Sequence, residues 1–265
     1  MTSAPQKRTN SIVYLMYHEI ELPGRELCQS EPGYVRYIVT EADFRSHLSL
    51  LKQNGWHGMS VEQALTSPTN PGVVFTFDDG CETDLIRAAP LLKDAGFGGT
   101  FYITVGFLGT RGFLSAAQVR KLSDLGFDVG CHSMTHPYLS DLPTEALPQE
   151  IRVPKDRLEQ MTGREVAHFS CPGGRFDARA VEVAREAGYR SLATSVALIN
   201  TAQTDPFALG RAAIMRGTPP EAFWRVCQGK GLWRRRWNDQ ARARVKSVLG
   251  NSMYDRVRGQ LLGKG

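Results

Sequence analysis

Seven short apolar runs, separated by amphipathic segments, constrain the fold of this 265-residue chain more than any other feature. Their length and their Val, Ile, Phe and Tyr content predict strands. The runs are Ile12–Tyr17, Val73–Phe77, Thr100–Val105, Phe127–Cys131, Val166–Cys171, Tyr189–Thr194 and Leu209–Ile214. Alternating strands and helices are typical of a parallel α/β architecture, either a barrel or a doubly wound sheet. Seven strands with single intervening helices favour a distorted (β/α) barrel.

Four of the amphipathic segments carry helix boundary signals, and they predict helices over 41–54, 83–95, 116–125 and 178–187. Thr40 is placed to cap the first of these, with Asp43 as the third helical residue. The segment 143–163 is less regular. Its two prolines, Pro148 and Pro154, are expected to break or kink any helix there.

The charge of the chain is concentrated at one end. Residues 221–265 contain 11 basic and 3 acidic residues, a net charge of +8, so residues 1–220 carry −3 of the total of +5. The strand pattern stops near residue 215, and the remaining residues are rich in Arg and Trp. We therefore predict a flexible N-terminus over 1–10, a barrel domain over 11–218 and a basic helical extension over 219–265.

Composition excludes several classes of protein. The hydrophobic fraction of 42% and the charged fraction of 22% are those of a globular protein, not a fibrous or disordered one. No stretch approaches the roughly 20 apolar residues that cross a bilayer. The five cysteines form no CxxC pair, and the first residues lack the apolar core of a secretory signal. These features predict a reducing, cytoplasmic location.

Two adjacent carboxylates follow the strand that ends at Phe77. In a parallel α/β fold the carboxyl ends of the strands form the active-site face, so Asp78 and Asp79 are candidates for chemistry. One of them can bind a metal ion while the other acts as a base. A solvated Asp-Asp-Gly turn is the alternative interpretation.

Two histidines four residues apart follow another predicted strand. His132 and His136 would lie on one face if the chain turns into a helix there. This spacing is usual for two imidazoles that share a divalent cation. Such a pair alone is more often surface decoration, but it is more significant beside a pair of aspartates at another strand end.

The two motifs together resemble those of a known family. Thr76-Phe77-Asp78-Asp79-Gly80 matches the first motif of the polysaccharide deacetylases, the chitooligosaccharide-deacetylase-like group also called carbohydrate esterase family 4. His132-Ser133-Met134-Thr135-His136 matches their second motif, H-[ST]-x-x-H. The resemblance covers roughly residues 11 to 215. It implies a distorted (β/α) barrel and hydrolysis of an N-acetyl group.

The resemblance also implies roles for the four residues. Asp79, His132 and His136 would bind one divalent metal ion, most often zinc, with cobalt, nickel or iron as alternatives. Asp78 would be the catalytic base. One carboxylate and two imidazoles leave positions open for water and substrate, as a catalytic metal requires.

The third family motif is altered in this chain. The matching segment is 169–177, where Ser170 stands in place of an arginine and Gly173 in place of an aromatic residue. The usual partner of the base is therefore missing, and Arg211 and Arg175 are candidates to replace it. Backbone N–H groups at Gly173 and Gly174 would stabilise the oxyanion, or the two glycines form a plain turn.

The late leucine–histidine motif of the family is absent, since no histidine follows His168. The first strand instead ends in Met16-Tyr17-His18, which resembles the opening of the poly-N-acetylglucosamine deacetylase branch. This resemblance implies that His18 is the general acid and places Tyr17 among the substrate contacts. A structural strand-end histidine is the alternative. Aromatic residues in the loop 31–37 would stack on a sugar or pack the loop down.

These observations predict a metal-dependent N-deacetylase. Its substrate would be an N-acetylated oligosaccharide, a polysaccharide or a lipid-linked precursor in bacterial exopolysaccharide or cell-envelope biosynthesis. The alternatives are an amide hydrolase acting on a small molecule and a catalytically impaired sugar-binding protein. The Trp- and Arg-rich tail over 221–265 suits peripheral contact with an anionic membrane at its inner face or a solvated helix docked on the barrel. No nucleic-acid partner is expected.

Overall fold

The structure is a computed structural model that describes residues 11–232. Its strands are β1 Val13–Tyr17, β2 Ile20–Glu21, β3 Val39–Thr40, β4 His57–Met59, β5 Gly72–Phe77, β6 Thr100–Ile103, β7 Asp128–Cys131, β8 His168–Ser170, β9 Ser191–Ala193 and β10 Arg211–Ala213. Its α-helices are α1 Pro32–Val35, α2 Glu41–Gln53, α3 Val61–Thr66, α4 Ala89–Ala95, α5 Ala116–Asp124, α6 Leu147–Thr162, α7 Ala178–Glu186 and α8 Pro220–Cys227.

Seven parallel strands form a nearly closed barrel in the order β10-β1-β5-β6-β7-β8-β9. The ring closes because Ala193 in β9 forms a parallel bridge to Leu209, which lies just before β10. Each predicted apolar run overlaps one of these strands, so the predicted barrel is confirmed. Three short strands were not predicted: β4 pairs with the first half of β5, and β2 pairs with β3.

The predicted helices form close to their predicted boundaries. Thr40 caps α2 by accepting a hydrogen bond from the backbone N–H of Asp43. The segment 83–95 is more complex than one regular helix, because a π-helical turn over Asp84–Ala88 precedes α4. Pro90 lies in the first turn of α4 and has no N–H to donate backward, which favours a widened turn there.

The sequence predicts that prolines break or kink a helix in the segment 143–163, and the predicted break does not occur. Helix α6 runs without interruption through Pro154. Pro148 lies in the first turn, where its missing N–H costs nothing because that group would have no helical partner. Leu147, Ile151 and Leu158 are fully buried on one side of the helix. Burial of this apolar face outweighs the single hydrogen bond that Pro154 removes.

Helix α8, at the start of the predicted extension, packs into the barrel's hydrophobic core. The Phe223 side chain is fully buried and stacks on the His47 ring with centroids 4.0 Å apart. The ring of Trp224 packs against that of Trp56, with centroids 5.0 Å apart. Burial lowers the pKa of His47 to about 4. The predicted flexible N-terminus and the Trp- and Arg-rich stretch at 233–237 lie outside the described residues, and the domain boundary at 218 stays a prediction.

None of the helices in residues 11–232 has the length and apolar character needed to cross a membrane.

Phe223 anchors α8, so we expect Phe223→Ala to lower the free energy of unfolding by about 3–5 kcal/mol, the usual cost of emptying a buried aromatic site. Chemical denaturation followed by tryptophan fluorescence would measure it. Leu65→Ala, at a side chain 38% exposed in α3, is the control and should change stability little. Equal effects of the two changes would contradict the packing role of α8.

Candidate metal centre and catalytic site

The candidate site lies where the carboxyl ends of β1, β5, β7 and β8 meet. His18 follows β1, and Asp78 and Asp79 follow β5. These two strands pair in register, and the backbone N–H of Asp78 donates to the carbonyl of Tyr17 at 3.0 Å. His132 follows β7, whose neighbour β8 ends at Ser170. The barrel thus brings together residues that are more than 100 positions apart in sequence.

Asp79, His132 and His136 form a group able to hold a metal ion. Their donor atoms all lie within 4.8 Å of one another. The Oδ1 atom of Asp79 is 3.5 Å from Nε2 of His132 and 3.4 Å from Nε2 of His136. This oxygen is buried and has no hydrogen-bond partner. A cation bound between the three side chains would satisfy it.

The protonation of the two histidines suits metal binding. Nδ1 of His132 lies 2.8 Å from the backbone carbonyl of Ser170. A carbonyl only accepts, so Nδ1 carries the proton and Nε2 presents its lone pair toward Asp79. Burial lowers the pKa of His132 to about 3 and also lowers that of His136. Both imidazoles are therefore neutral near pH 7.

The Asp79 carboxylate lacks a counter-charge of its own. Burial raises its pKa to about 6, the nearby charge of His18 opposes this rise and the charge of Asp78 adds to it. A divalent cation would reverse the effect of burial and hold the group ionised. One carboxylate and two neutral imidazoles therefore fit a divalent cation, and they do not distinguish zinc from its neighbours.

Backbone strain is concentrated at this site. Among the described non-glycine residues, positive φ angles occur at Asp79 (78°), Ser133 (68°) and His136 (63°). Such conformations cost free energy and persist where the surrounding structure holds them. The hydroxyl of Ser133 accepts from the backbone N–H of His136, and the Glu150 carboxylate accepts from two further N–H groups of this loop. These contacts hold the loop in the strained shape that directs both histidines to Asp79.

Asp78 is held by a buried guanidinium. Arg211 donates to both carboxylate oxygens of Asp78, at 2.7 and 2.8 Å, and its own side chain is fully buried. Further bonds to the carbonyl of Thr194 and the hydroxyl of Ser170 fix its orientation. Although burial alone raises the pKa of Asp78, the guanidinium of Arg211 holds it well below its usual range. Asp78 is therefore ionised and has a fixed orientation.

Ser170 explains how Arg211 reaches the carboxylate. Ser170 occupies the position at which the resemblance implies an arginine, and its short side chain leaves room for a guanidinium from β10. The sequence suggested both Arg211 and Arg175 as partners of the base. The structure pairs Asp78 with Arg211 and places the guanidinium of Arg175 3.7 Å from the centre of the Tyr138 ring.

His18 lies beside the carboxylates with an unused ring nitrogen. The centroid of its ring lies 5.0 Å from that of Tyr37 and 6.3 Å from that of Tyr34, which it meets edge-on. Nδ1 is buried without a hydrogen-bond partner. Tyr34 and Tyr37 thus pack against the candidate acid, which favours packing over the exposed stacking surface considered from the sequence.

The side chain of Tyr17, a residue predicted among the substrate contacts, lies in the core. Its ring is fully buried among core aromatics, and its hydroxyl lies 3.1 Å from Nδ1 of His47. Because side chains alternate along a strand, Tyr17 points into the core while His18 points to the site. Gly174 is also less available than predicted, since its N–H already donates to the carbonyl of Cys171.

Sequence reasoning missed an aromatic residue at the third motif. A side chain on Gly173 would start 2.8 Å from the ring of Tyr138, so Tyr138 fills the space that the glycine leaves. Gly173 itself has φ of 59°. The signal was present, because Tyr138 follows His136 by two residues, but its position against Gly173 depends on the packing of two distant loops.

Comparisons with known proteins find similarity to polysaccharide deacetylases. The family model for polysaccharide deacetylases matches residues 66–192. "Putative polysaccharide deacetylase YxkH" of Bacillus subtilis is 25% identical over 215 residues, which are 79% of this chain and 73% of that protein. The peptidoglycan-N-acetylglucosamine deacetylase of Bacillus cereus is 32% identical over 127 residues, which are 47% of this chain and 57% of that protein.

Solved structures share the fold. The Streptococcus pyogenes deacetylase PplD, in complex with acetate, matches with a TM-score of 0.71 at 24% identity, over 83% of this chain and 99% of that chain. This likeness agrees with the nearly closed barrel of seven strands.

Removal of Arg211 should leave Asp78 as a buried carboxylate without a partner. We expect Arg211→Met to lower the free energy of unfolding at pH 7 by about 3–5 kcal/mol. Because Arg211 lowers the pKa of Asp78, its contribution is present above the ordinary carboxyl pKa and is lost as pH falls through the lower, folded-state pKa. Urea denaturation between about pH 7 and pH 2 should therefore show a difference in the free energy of unfolding between the two proteins that shrinks mainly below about pH 4.

The double variant Arg211→Met/Asp78→Asn is the control, and it should recover part of the loss at pH 7 because the carboxylate that lost its partner is also removed. A pH-independent difference with no recovery in the double variant would contradict the ion-pair interpretation.

Proposed function

Because the family model and the curated relatives support membership of the polysaccharide deacetylase family, we propose that this chain removes N-acetyl groups from amino sugars in a polysaccharide, an oligosaccharide or a lipid-linked precursor. The same matches support an enzyme of the deacetylase type. The observation that carries the proposal is the position of an ionised, Arg211-held Asp78 beside the Asp79–His132–His136 group.

Each of these residues has a separate role in amide hydrolysis. A divalent cation bound by Asp79, His132 and His136 would polarise the acetamide carbonyl and make a water molecule more acidic. Asp78 remains ionised because of Arg211 and accepts the proton of the attacking water. His18, on the neighbouring strand end, donates a proton to the amine nitrogen as the C–N bond breaks. The backbone N–H of Gly173 stabilises the negative charge that develops on the carbonyl oxygen.

Finer features belong to the same proposal. We propose zinc as the native metal, an exopolysaccharide or cell-envelope substrate, and descent from the branch with an N-terminal Met-Tyr-His motif at 16–18. A cytoplasmic location with peripheral contact to an anionic membrane through 221–265 is also proposed, from the charge of that segment.

Substitutions of the two adjacent aspartates should have different effects on metal binding and turnover. We expect Asp79→Ala to lose both bound metal and acetate release, because it removes a ligand. Asp78→Asn should retain the metal but lower turnover by about 10²–10⁴-fold, the usual contribution of a general base. Metal analysis and an acetate-release assay on N-acetylated oligosaccharides would measure both.

The control is Asp94→Asn, at an exposed position in α4, which should leave both readouts unchanged. Near-normal turnover in Asp78→Asn would contradict the assignment of the base. Release of ammonia instead of acetate would indicate an amide hydrolase that acts on a different substrate.

His18 should matter most when the leaving group is poor. We expect His18→Gln to lower acetamide hydrolysis by about 10²–10⁴-fold. It should affect hydrolysis of 4-nitrophenyl acetate much less, because nitrophenolate leaves without a proton. The ratio of the two rates, compared between the wild-type and variant proteins, is the measurement. An equal loss on both substrates would rule out His18 as the acid.

A further inference from the structure

A second group of metal-ligand side chains lies outside the proposed catalytic centre. Glu19, Cys28 and Cys81 each offer one donor atom, and these atoms all lie within 4.8 Å of one another. Glu19 and Cys81 are buried and Cys28 is half-buried. The Sγ atom of Cys28 donates to the backbone carbonyl of Gly112 at 2.9 Å. At Cys81, Cys131 and Cys171, which adjoin the motifs, the sequence alone predicts small buried residues, with metal ligation or redox control as the alternative.

A fully buried carboxyl group beside this cluster has no partner. Neither side-chain oxygen of Asp84 makes a hydrogen bond, and the residue is 0% exposed. Burial raises the pKa of Asp84 far above its ordinary value, and the charges of Cys28, Asp79 and Glu19 raise it further. The backbone N–H of Asp84 donates to the carbonyl of Cys81 at 2.9 Å, so Asp84 lies next to one cysteine of the cluster. An unsatisfied buried carboxyl group of this kind calls for a donor or a cation.

Each side chain of the cluster has a hydrogen-bond partner in the protein. The carboxylate of Glu19 accepts from the backbone N–H of Cys28 at 3.0 and 3.2 Å. The hydroxyl of Tyr34 lies 3.1 Å from Sγ of Cys81. Burial raises the pKa of Glu19, and the charge of Arg25 only partly opposes this rise. Arg25 forms its own ion pair with Glu82, so the two thiols and the carboxyl group of the cluster lack a cation of their own among the described residues.

We propose that Cys28, Cys81 and Glu19 bind a structural zinc ion, separate from the metal centre of Asp79, His132 and His136. Two thiolates select a soft or borderline cation such as zinc over magnesium or calcium. Structural zinc takes four protein ligands in a tetrahedral arrangement. Asp84 is the candidate for the fourth position.

The position of the cluster gives the ion a structural role beside the active site. Cys28 belongs to the loop between β2 and β3, which also contains Tyr34 and Tyr37, the two rings that pack on His18. Glu19 directly follows His18, and Cys81 follows Asp79 by two residues. Zinc bound there would connect this loop to the ends of β1 and β5, and would hold the wall around His18 in place.

Metal analysis of the full chain, expressed with added zinc and desalted, tests the proposal. We expect about two zinc ions per wild-type chain and about one in Cys28→Ser/Cys81→Ser. Cys227→Ser, at a buried cysteine in α8, is the matched control and should retain two. Equal zinc in the wild-type protein and the double cysteine variant would overturn the proposal.

Cobalt substitution separates this site from the proposed catalytic metal. Only a sulfur-ligated cobalt ion gives intense thiolate charge-transfer absorption in the near ultraviolet. We expect this band to persist in His132→Ala/His136→Ala and to vanish in Cys28→Ser/Cys81→Ser. If the catalytic centre binds no metal, the band still reports on the cysteine site, so the two proposals fail independently.

Two further measurements guard against a cysteine variant that fails to fold. In the wild-type protein, two thiols should react with a thiol reagent faster after zinc is removed by a chelator. Glu19→Gln keeps the side-chain volume, and it should release zinc to a chromophoric chelator more readily. A Cys28–Cys81 disulfide in the zinc-exposed protein, or thiol reactivity independent of chelation, would overturn the proposal.

Discussion

The bidentate pair between Asp78 and Arg211 is the interaction on which the interior of the barrel depends. Both side chains are almost completely buried, and taking two charges out of water is costly unless each is fully paired. Here the guanidinium also bonds to Thr194 and Ser170, so it links the strand ends of β5, β8 and β9. The ion pair keeps one carboxylate ionised and oriented inside an apolar barrel.

The neighbouring carboxylate has the opposite environment. Asp79 has no guanidinium, and burial raises its pKa to about 6. Adjacent residues at one strand end thus differ in pKa because only Asp78 is hydrogen-bonded to Arg211. This division matches the chemistry of a base beside a metal ligand. The strained backbone at Asp79, Ser133 and His136 shows that the fold accepts a conformational cost to direct these side chains together.

Local sequence patterns were sufficient for most of the framework. The seven apolar runs predicted the seven barrel strands, since burial on both faces leaves a continuous apolar signal. The prolines of α6 led to the prediction of a broken or kinked helix because helix propensity is a local property. The burial of Leu147, Ile151 and Leu158, which stabilises the helix, depends on the rest of the barrel. Tyr17 is a related case. Tyr17 and His18 are adjacent in the motif, but side chains alternate along a strand, so the two side chains point to opposite sides.

The sequence by itself determined the strand–helix alternation and the residue types at the strand ends: two aspartates, two histidines and His18. These follow from local periodicity and spacing, which act over a few residues. Only the tertiary structure decided that Arg211 contacts Asp78, that Tyr138 fills the space at Gly173, and that Cys28 meets Glu19 and Cys81. Each of these contacts joins separate elements, so it depends on barrel closure and loop packing, which no local pattern encodes.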